Sequence, residues 1–152
     1  MSLLIVFIQF AFILLLLLPF PFAIPSSPFA IAMITMGVLL GLWTLAYNRI
    51  GNFNIRPEPK PNAKLVTDGP YRLVRHPMYD AVLLVMAAWA FFTDDAAKPF
   101  YWLGLLHVLW VKSSIEEKML TLKYPDYIDY MQSTGRLLPR WSSLFGSKKR
   151  RG

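Results

Sequence analysis

The chain has 152 residues, 55% of them hydrophobic and only 16% charged, with a formal net charge of +7 and no cysteine. A soluble domain of this size carries more charge, so the composition points to a single-domain integral membrane protein. The absence of cysteine excludes disulfides, thiolate metal sites and cysteine nucleophiles, and His76 and His107 are too far apart for a zinc-type pair.

The first apolar run, residues 3–18, is uncharged and ends at Pro19, Pro21 and Pro25. It has no basic leading segment and is long for a signal sequence, so it reads as a retained helix. The second run, residues 29–47, is also uncharged and carries Gly37 and Gly41. That GxxxG spacing lets another helix approach closely, here read as internal packing and not dimerisation. The third run, 77–92, is shorter and contains Asp80; the fourth, 99–111, is aromatic-rich and continues as helix through 113–122. A spanning helix takes about 20 residues at roughly 1.5 Å each. The first two runs reach that with their flanks, and the last two need their neighbours.

Charge then sets the orientation. The segment between the second and third runs holds Arg49, Arg56, Lys60, Lys64, Arg72 and Arg75 against Glu58 and Asp68. The C-terminal part holds Arg136, Arg140 and Lys148-Lys149-Arg150-Arg151. In such positions basic residues set topology and meet anionic headgroups, and a nucleic-acid partner is not implied. The positive-inside rule places both regions, and both termini, in the cytoplasm. The expectation is an all-α polytopic membrane protein, with about four transmembrane helices, a cytoplasmic pocket and a short C-terminal interfacial helix. It divides into an N-terminal hairpin (1–48), a catalytic-type region (49–140) and a basic tail (141–152). Trp141 fits an interfacial aromatic belt.

Polar chemistry concentrates in two places. In Arg75-His76-Pro77-Met78-Tyr79, proline suits the first turn of a helix and pushes the residue before it out of the α region. A third helix therefore starts at Pro77 with His76 at its cap and Tyr79 and Asp80 nearby on one face. The Asp68-Gly69-Pro70 turn folds the preceding chain back. Donors beside a helix N-terminus make a natural anion site; a basic loop that merely anchors the helix would look the same. The second place is Glu116-Glu117. Two carboxylates suit an ammonium group or ribose hydroxyls, whereas the bland reading is a solvated face with Lys112 and Glu116 paired one turn apart. Carboxylates also sit badly at a helix C-terminus, unless the helix runs past Leu120. Downstream, Pro125 suits a helix start, Tyr127, Tyr130 and Met131 share a face, and Gly135 is a candidate C-cap. Asp80 lies near the interface, and His107 is read as packing or a local hydrogen bond.

The order of these blocks, "LVTDGPYRLVRHPMY", an apolar hairpin, then "EEKMLTLKYPDYIDYMQSTGRLLP", resembles the isoprenylcysteine carboxyl methyltransferase and phospholipid methyltransferase group of small integral membrane enzymes. The resemblance covers roughly residues 48 to 140. It implies S-adenosylmethionine as cofactor, held at the cytoplasmic face, and a lipophilic acceptor, carboxylate or amine, arriving from the bilayer. It further implies that Gly69, Pro70, Tyr71, His76, Tyr79 and Glu117 line the cofactor pocket. For a carboxylate acceptor, Arg75 or Arg136 would orient it; for an amine, Glu116 or Glu117 is the candidate base. Asp80-Ala81 departs from the small or apolar residue and glycine often found after the tyrosine. The membrane implied is a bacterial inner membrane or its equivalent, with membrane lipids as further partners and no metal. Two other classes compete: an NADPH-dependent membrane reductase, against which stands the lack of a GxGxxG motif, and a non-enzymatic lipid-binding membrane protein.

Overall fold

The computed structural model describes residues 2–18, 25–52 and 65–140. Pro19, Pro21, Arg56, Glu58, Lys60, Lys64, Trp141 and the basic tail lie outside these residues. The described residues form helices α1 (Ser2–Leu17), α2 (Pro28–Asn52), α3 (Pro77–Phe91), α4 (Lys98–Lys123) and α5 (Tyr127–Ser133), with a 3-10 turn at Gly69–Arg72 before α3. They contain no strand, only an isolated parallel bridge between Val74 and Gly135.

Each boundary has a local cause. Pro28, Pro77 and Pro99 stand at helix starts, where a missing N–H costs nothing. At α3, the His76 carbonyl accepts the N–H groups of Tyr79 (3.0 Å) and Asp80 (3.2 Å), so His76 caps the helix as its sequence position implies. Helix α4 is continuous to Lys123, well past Leu120, which lifts the dipole objection to Glu116 and Glu117. Helix α5 starts at Tyr127, two residues later than Pro125 suggests. Gly135 is not a left-handed C-cap: Thr134 closes α5 in an extended conformation (φ −125°, ψ 141°), and among the described residues the left-handed glycine is Gly69 (φ 59°). The backbone of Gly135 is used instead to pair with Val74.

Packing follows the small residues. Helix α2 lies most extensively on α3. A Cβ at Gly37 would stand 2.6 Å from Val85 Cγ2 and 2.9 Å from the Ala81 carbonyl oxygen, so the GxxxG face is an internal contact. Helix α1 packs on α4 and α3. Their shared core is Leu16, Leu83, Met86, Ala90, Leu105 and Leu109, with Leu137 closing it. The outer faces are as apolar as the core. Phe7 of α1 and Phe29 of α2 are 72% and 73% exposed, and Leu4, Leu14, Leu39 and Leu42 are exposed beside them. Contiguous apolar surface on this scale marks a face that does not meet water. By length and composition, one described helix, Pro28–Asn48, suffices to cross a membrane; the apolar stretches Leu3–Leu17 and Pro77–Phe91 are shorter.

Candidate functional site

Pro77 begins the construction of the site. It holds the backbone before it out of the helix (His76 φ −125°, ψ 58°), which frees the N–H groups there for other partners. Arg75 N–H then donates to the Gly135 carbonyl (2.8 Å) and His76 N–H to the Arg136 carbonyl (3.2 Å). This short parallel pairing zips the segment before α3 to the segment after α5. It sets Arg75, His76 and Arg136 side by side although some sixty residues separate them in the chain.

Helix α4 brings the carboxylates to these cations. Successive helical residues point about 100° apart, so the adjacent acids face differently: the Glu117 side chain is 3% exposed and that of Glu116 is 29% exposed. Glu117 Oε1 accepts from Arg75 Nε (2.7 Å) and lies 3.2 Å from His76 Nε2. Its Oε2 accepts from Arg136 Nη2 (2.6 Å). A carboxylate only accepts, so the Nε2 of His76 carries the hydrogen in this contact. Burial by itself would raise the Glu117 pKa, but hydrogen bonds from His76, Arg75 and Arg136 outweigh it and hold the acid at about 2. Glu117 is therefore an ionised, fully engaged carboxylate.

The remaining contacts build outward from this centre. Arg75 Nη1 also donates to the carbonyls of Met131 (3.0 Å) and Thr134, fixing the end of α5. Arg136 Nη1 donates to Ser114 Oγ (2.7 Å), and its guanidinium lies 4.6 Å from the Trp110 ring centroid. Tyr79 donates to Glu116 Oε2 (2.8 Å) and stacks on His76, ring centroids 5.1 Å apart and planes 6° from parallel. The second imidazole nitrogen, Nδ1, is 3.6 Å from that same Glu116 oxygen.

Gly69, Pro70 and Tyr71 form the turn beside this cluster. Gly69 needs its positive φ, and a Cβ there would stand 2.6 Å from the Tyr47 ring. The Tyr71 carbonyl accepts from the Tyr130 hydroxyl (2.6 Å), tying the turn to α5. Burial, and then the negative charge of Glu116, push the Tyr71 phenol well above the usual tyrosine range, so it remains a neutral donor.

The fold thus gathers Arg75, His76, Tyr79, Glu116, Glu117 and Arg136 into one connected network, with Gly69, Pro70 and Tyr71 along its edge. The Asp80 side chain makes no hydrogen bond among the described residues, its backbone N–H being the one used at the start of α3, and His107 is exposed on α4. Reading the sequence missed the Val74–Gly135 pairing, Ser114 and Trp110 as supports of Arg136, and the true partner of Lys112. Lys112 is not paired to Glu116; its Nζ donates to Gln9 Oε1 of α1 (2.8 Å). The available signal was Gln9 itself, a polar residue in the otherwise apolar middle of α1.

Comparison with known proteins places these residues in a broader context. The family model described as "Phospholipid methyltransferase" matches residues 26–127, most of the chain, and stops short of the Gly135–Arg136 segment. The curated "Cobalt-zinc-cadmium resistance protein CzcN" of Cupriavidus metallidurans is 33% identical over 89 residues, which is 57% of this chain and 41% of that protein. The match thus spans about two fifths of the length of that relative.

Proposed function

The chain belongs to the phospholipid methyltransferase family, and we propose that it transfers a methyl group from S-adenosylmethionine to a lipophilic acceptor at the cytoplasmic face of a membrane. The observation that carries this reading is the junction of the two sequence blocks: Tyr79 of the RHPMY block bonded to Glu116, with His76 stacked on it and held by Glu117.

The donor set suits this cofactor. Bound S-adenosylmethionine supplies a methyl group already activated on a sulfonium. Its ammonium and ribose hydroxyls call for acceptors, and Glu116 keeps an oxygen, Oε1, with no hydrogen bond among the described residues. The Tyr71 hydroxyl, kept neutral by burial and by the charge of Glu116, can donate. Both Glu117 oxygens are engaged, so Glu117 contributes by holding Arg75, His76 and Arg136 in place. Methyl transfer needs in-line positioning and exclusion of water more than acid–base assistance, and orientation supplies most of the acceleration. A carboxylate acceptor needs no base; an amine acceptor would give its proton to Glu116.

The exposed apolar faces of α1 and α2 support a membrane-embedded chain with lipids around it. We read α1 to α3 and residues 99–111 of α4 as crossing or entering the bilayer, both termini on the cytoplasmic side, in a bacterial inner membrane or its equivalent. The region 1–48 would then be the anchoring hairpin and 49–140 the methyl-transfer region.

Thermal unfolding of the detergent-solubilised protein tests the proposal. S-adenosylmethionine and S-adenosylhomocysteine should raise Tm at millimolar concentration, and Glu116→Gln should weaken that stabilisation. A shift with NADPH and none with either sulfur nucleotide would overturn it.

A further inference from the structure

We propose that the exposed stripe of α4 around His107 is a docking surface for a second copy of this chain, with the two His107 imidazoles paired across a two-fold axis. The inference goes beyond methyl transfer and rests on residues 99–111 of α4 lying in the bilayer.

His107 is a polar side chain in an apolar place. It is exposed on α4 and makes no hydrogen bond among the described residues. It stands nine residues from Lys98 and nine from Glu116, about 13 Å along the helix from each. Its neighbours on the same side of the helix are Phe100, Leu103 and Trp110, exposed by 71%, 53% and 50%. The exposed faces of α1 and α2 carry Phe7, Leu14, Leu39 and Leu42, which lipid tails satisfy. An imidazole finds no hydrogen-bond partner in hydrocarbon, and ionisable residues within membranes face protein or water instead. The local hydrogen bond or packing expected of His107 is not made within the described residues, so the partner comes from outside them.

Spacing and symmetry identify that partner. Phe100, Leu103, His107 and Trp110 follow one another at intervals of three, four and three, which is the a/d seam of paired helices. A lone polar residue at one a position of such a seam fixes register and oligomeric state. The next a position, Ser114, is taken within the chain by Arg136 Nη1 (2.7 Å), so the open seam ends there. Copies of one chain insert in the same orientation, so a two-fold axis relating them runs along the membrane normal and sets each residue opposite its equivalent. His107 then meets His107. A neutral imidazole has one donor and one acceptor nitrogen, so this side chain complements itself. The same pairing would cover Trp110, whose ring carries the Arg136 guanidinium 4.6 Å away, and so steady the Arg136 side of the site.

The chain has no cysteine, so single-cysteine variants of the full protein test this directly in isolated membranes. Leu103→Cys is compared with Phe7→Cys on α1 and Leu39→Cys on α2 during oxidation by copper phenanthroline. Leu103→Cys should form a covalent dimer faster than either control by about tenfold or more, because paired helices hold the two thiols at a raised effective concentration. Adding His107→Leu should lower that dimer yield by about threefold or more, the lower end of what an interhelical hydrogen bond supplies in a bilayer. His107→Asn, which keeps a donor and an acceptor, should retain it. Equal cross-linking at Leu103→Cys and the two controls overturns the proposal. So does a yield indifferent to His107→Leu, or an adduct whose mass is not twice that of the chain. Alkaline carbonate extraction of the same membranes separates the two readings: release of the chain sinks the bilayer placement and the dimer together, whereas retention with equal cross-linking sinks the dimer alone.

Discussion

Glu117→Gln is the perturbation with the most calculable outcome. The substitution keeps the shape of the side chain and removes its charge, leaving Arg75 and Arg136 opposite a neutral amide. An ordinary glutamate titrates at 4.5 and Glu117 at about 2. That difference corresponds to about 3 kcal/mol of preference for the ionised, folded form, consistent with the roughly 3–5 kcal/mol lost when a buried pair forfeits one partner. The folded value lies below the unfolded one, so the stabilisation is complete above about pH 5.5 and disappears as pH falls through about 2. Reversible unfolding in mixed micelles, followed by helicity, gives both curves. The gap between wild type and Glu117→Gln should be about 3 kcal/mol at pH 7 and about half of that at pH 3. A gap below about 1 kcal/mol at pH 7, or one that stays constant down to pH 3, would refute the reasoning.

Other substitutions probe separate parts of the same construction. Tyr79→Phe removes the 2.8 Å bond to Glu116 but keeps the ring stacked on His76; it should cost about 1–2 kcal/mol in unfolding and weaken cofactor stabilisation further. Gly37→Leu drives a side chain into Val85 and the Ala81 carbonyl, so unfolding titrations should show a loss of about 1–3 kcal/mol while cofactor affinity in the folded fraction is retained. Tyr130→Phe frees the Tyr71 carbonyl; a loss of about 0.5–1.5 kcal/mol is expected, and faster amide exchange at residues 69–72 would locate it in the turn.

Much of the helical layout is legible in the sequence because apolar runs and prolines act locally. Pro77 predicts both the start of α3 and the non-helical backbone of His76, and Gly37 with Gly41 predicts a close helix contact. The cluster of site residues is legible only as two blocks. What joins them is a backbone pairing between Val74 and Gly135, and backbone hydrogen bonds leave little trace in side-chain identity. Gly135 illustrates the problem: a glycine after a short helix suggests a left-handed cap, yet here it serves a parallel bridge. Lys112 fails for a related reason. Its spacing to Glu116 favours a local pair, and only the packing of α1 on α4 reveals that Gln9 takes its hydrogen bond.

The adjacent acids are the clearest case of one motif holding two tasks. A helix cannot point neighbouring residues the same way, so an EE pair placed against a cluster of cations must send one carboxylate inward and leave the other nearer the surface. Glu117 takes the inner position and has both oxygens engaged, by Arg75, His76 and Arg136. Glu116 takes the outer one, steadied by Tyr79 and keeping an oxygen unbonded among the described residues. Their substitutions should therefore separate by readout. Loss of the Glu117 charge should appear first as lost stability, and through it as displaced Arg75 and Arg136. Loss of the Glu116 charge should leave the fold largely intact and appear in ligand binding. If Glu116→Gln destabilised the protein as much as Glu117→Gln, the two carboxylates would be acting as one structural unit, and the binding role given to Glu116 would lose its physical basis.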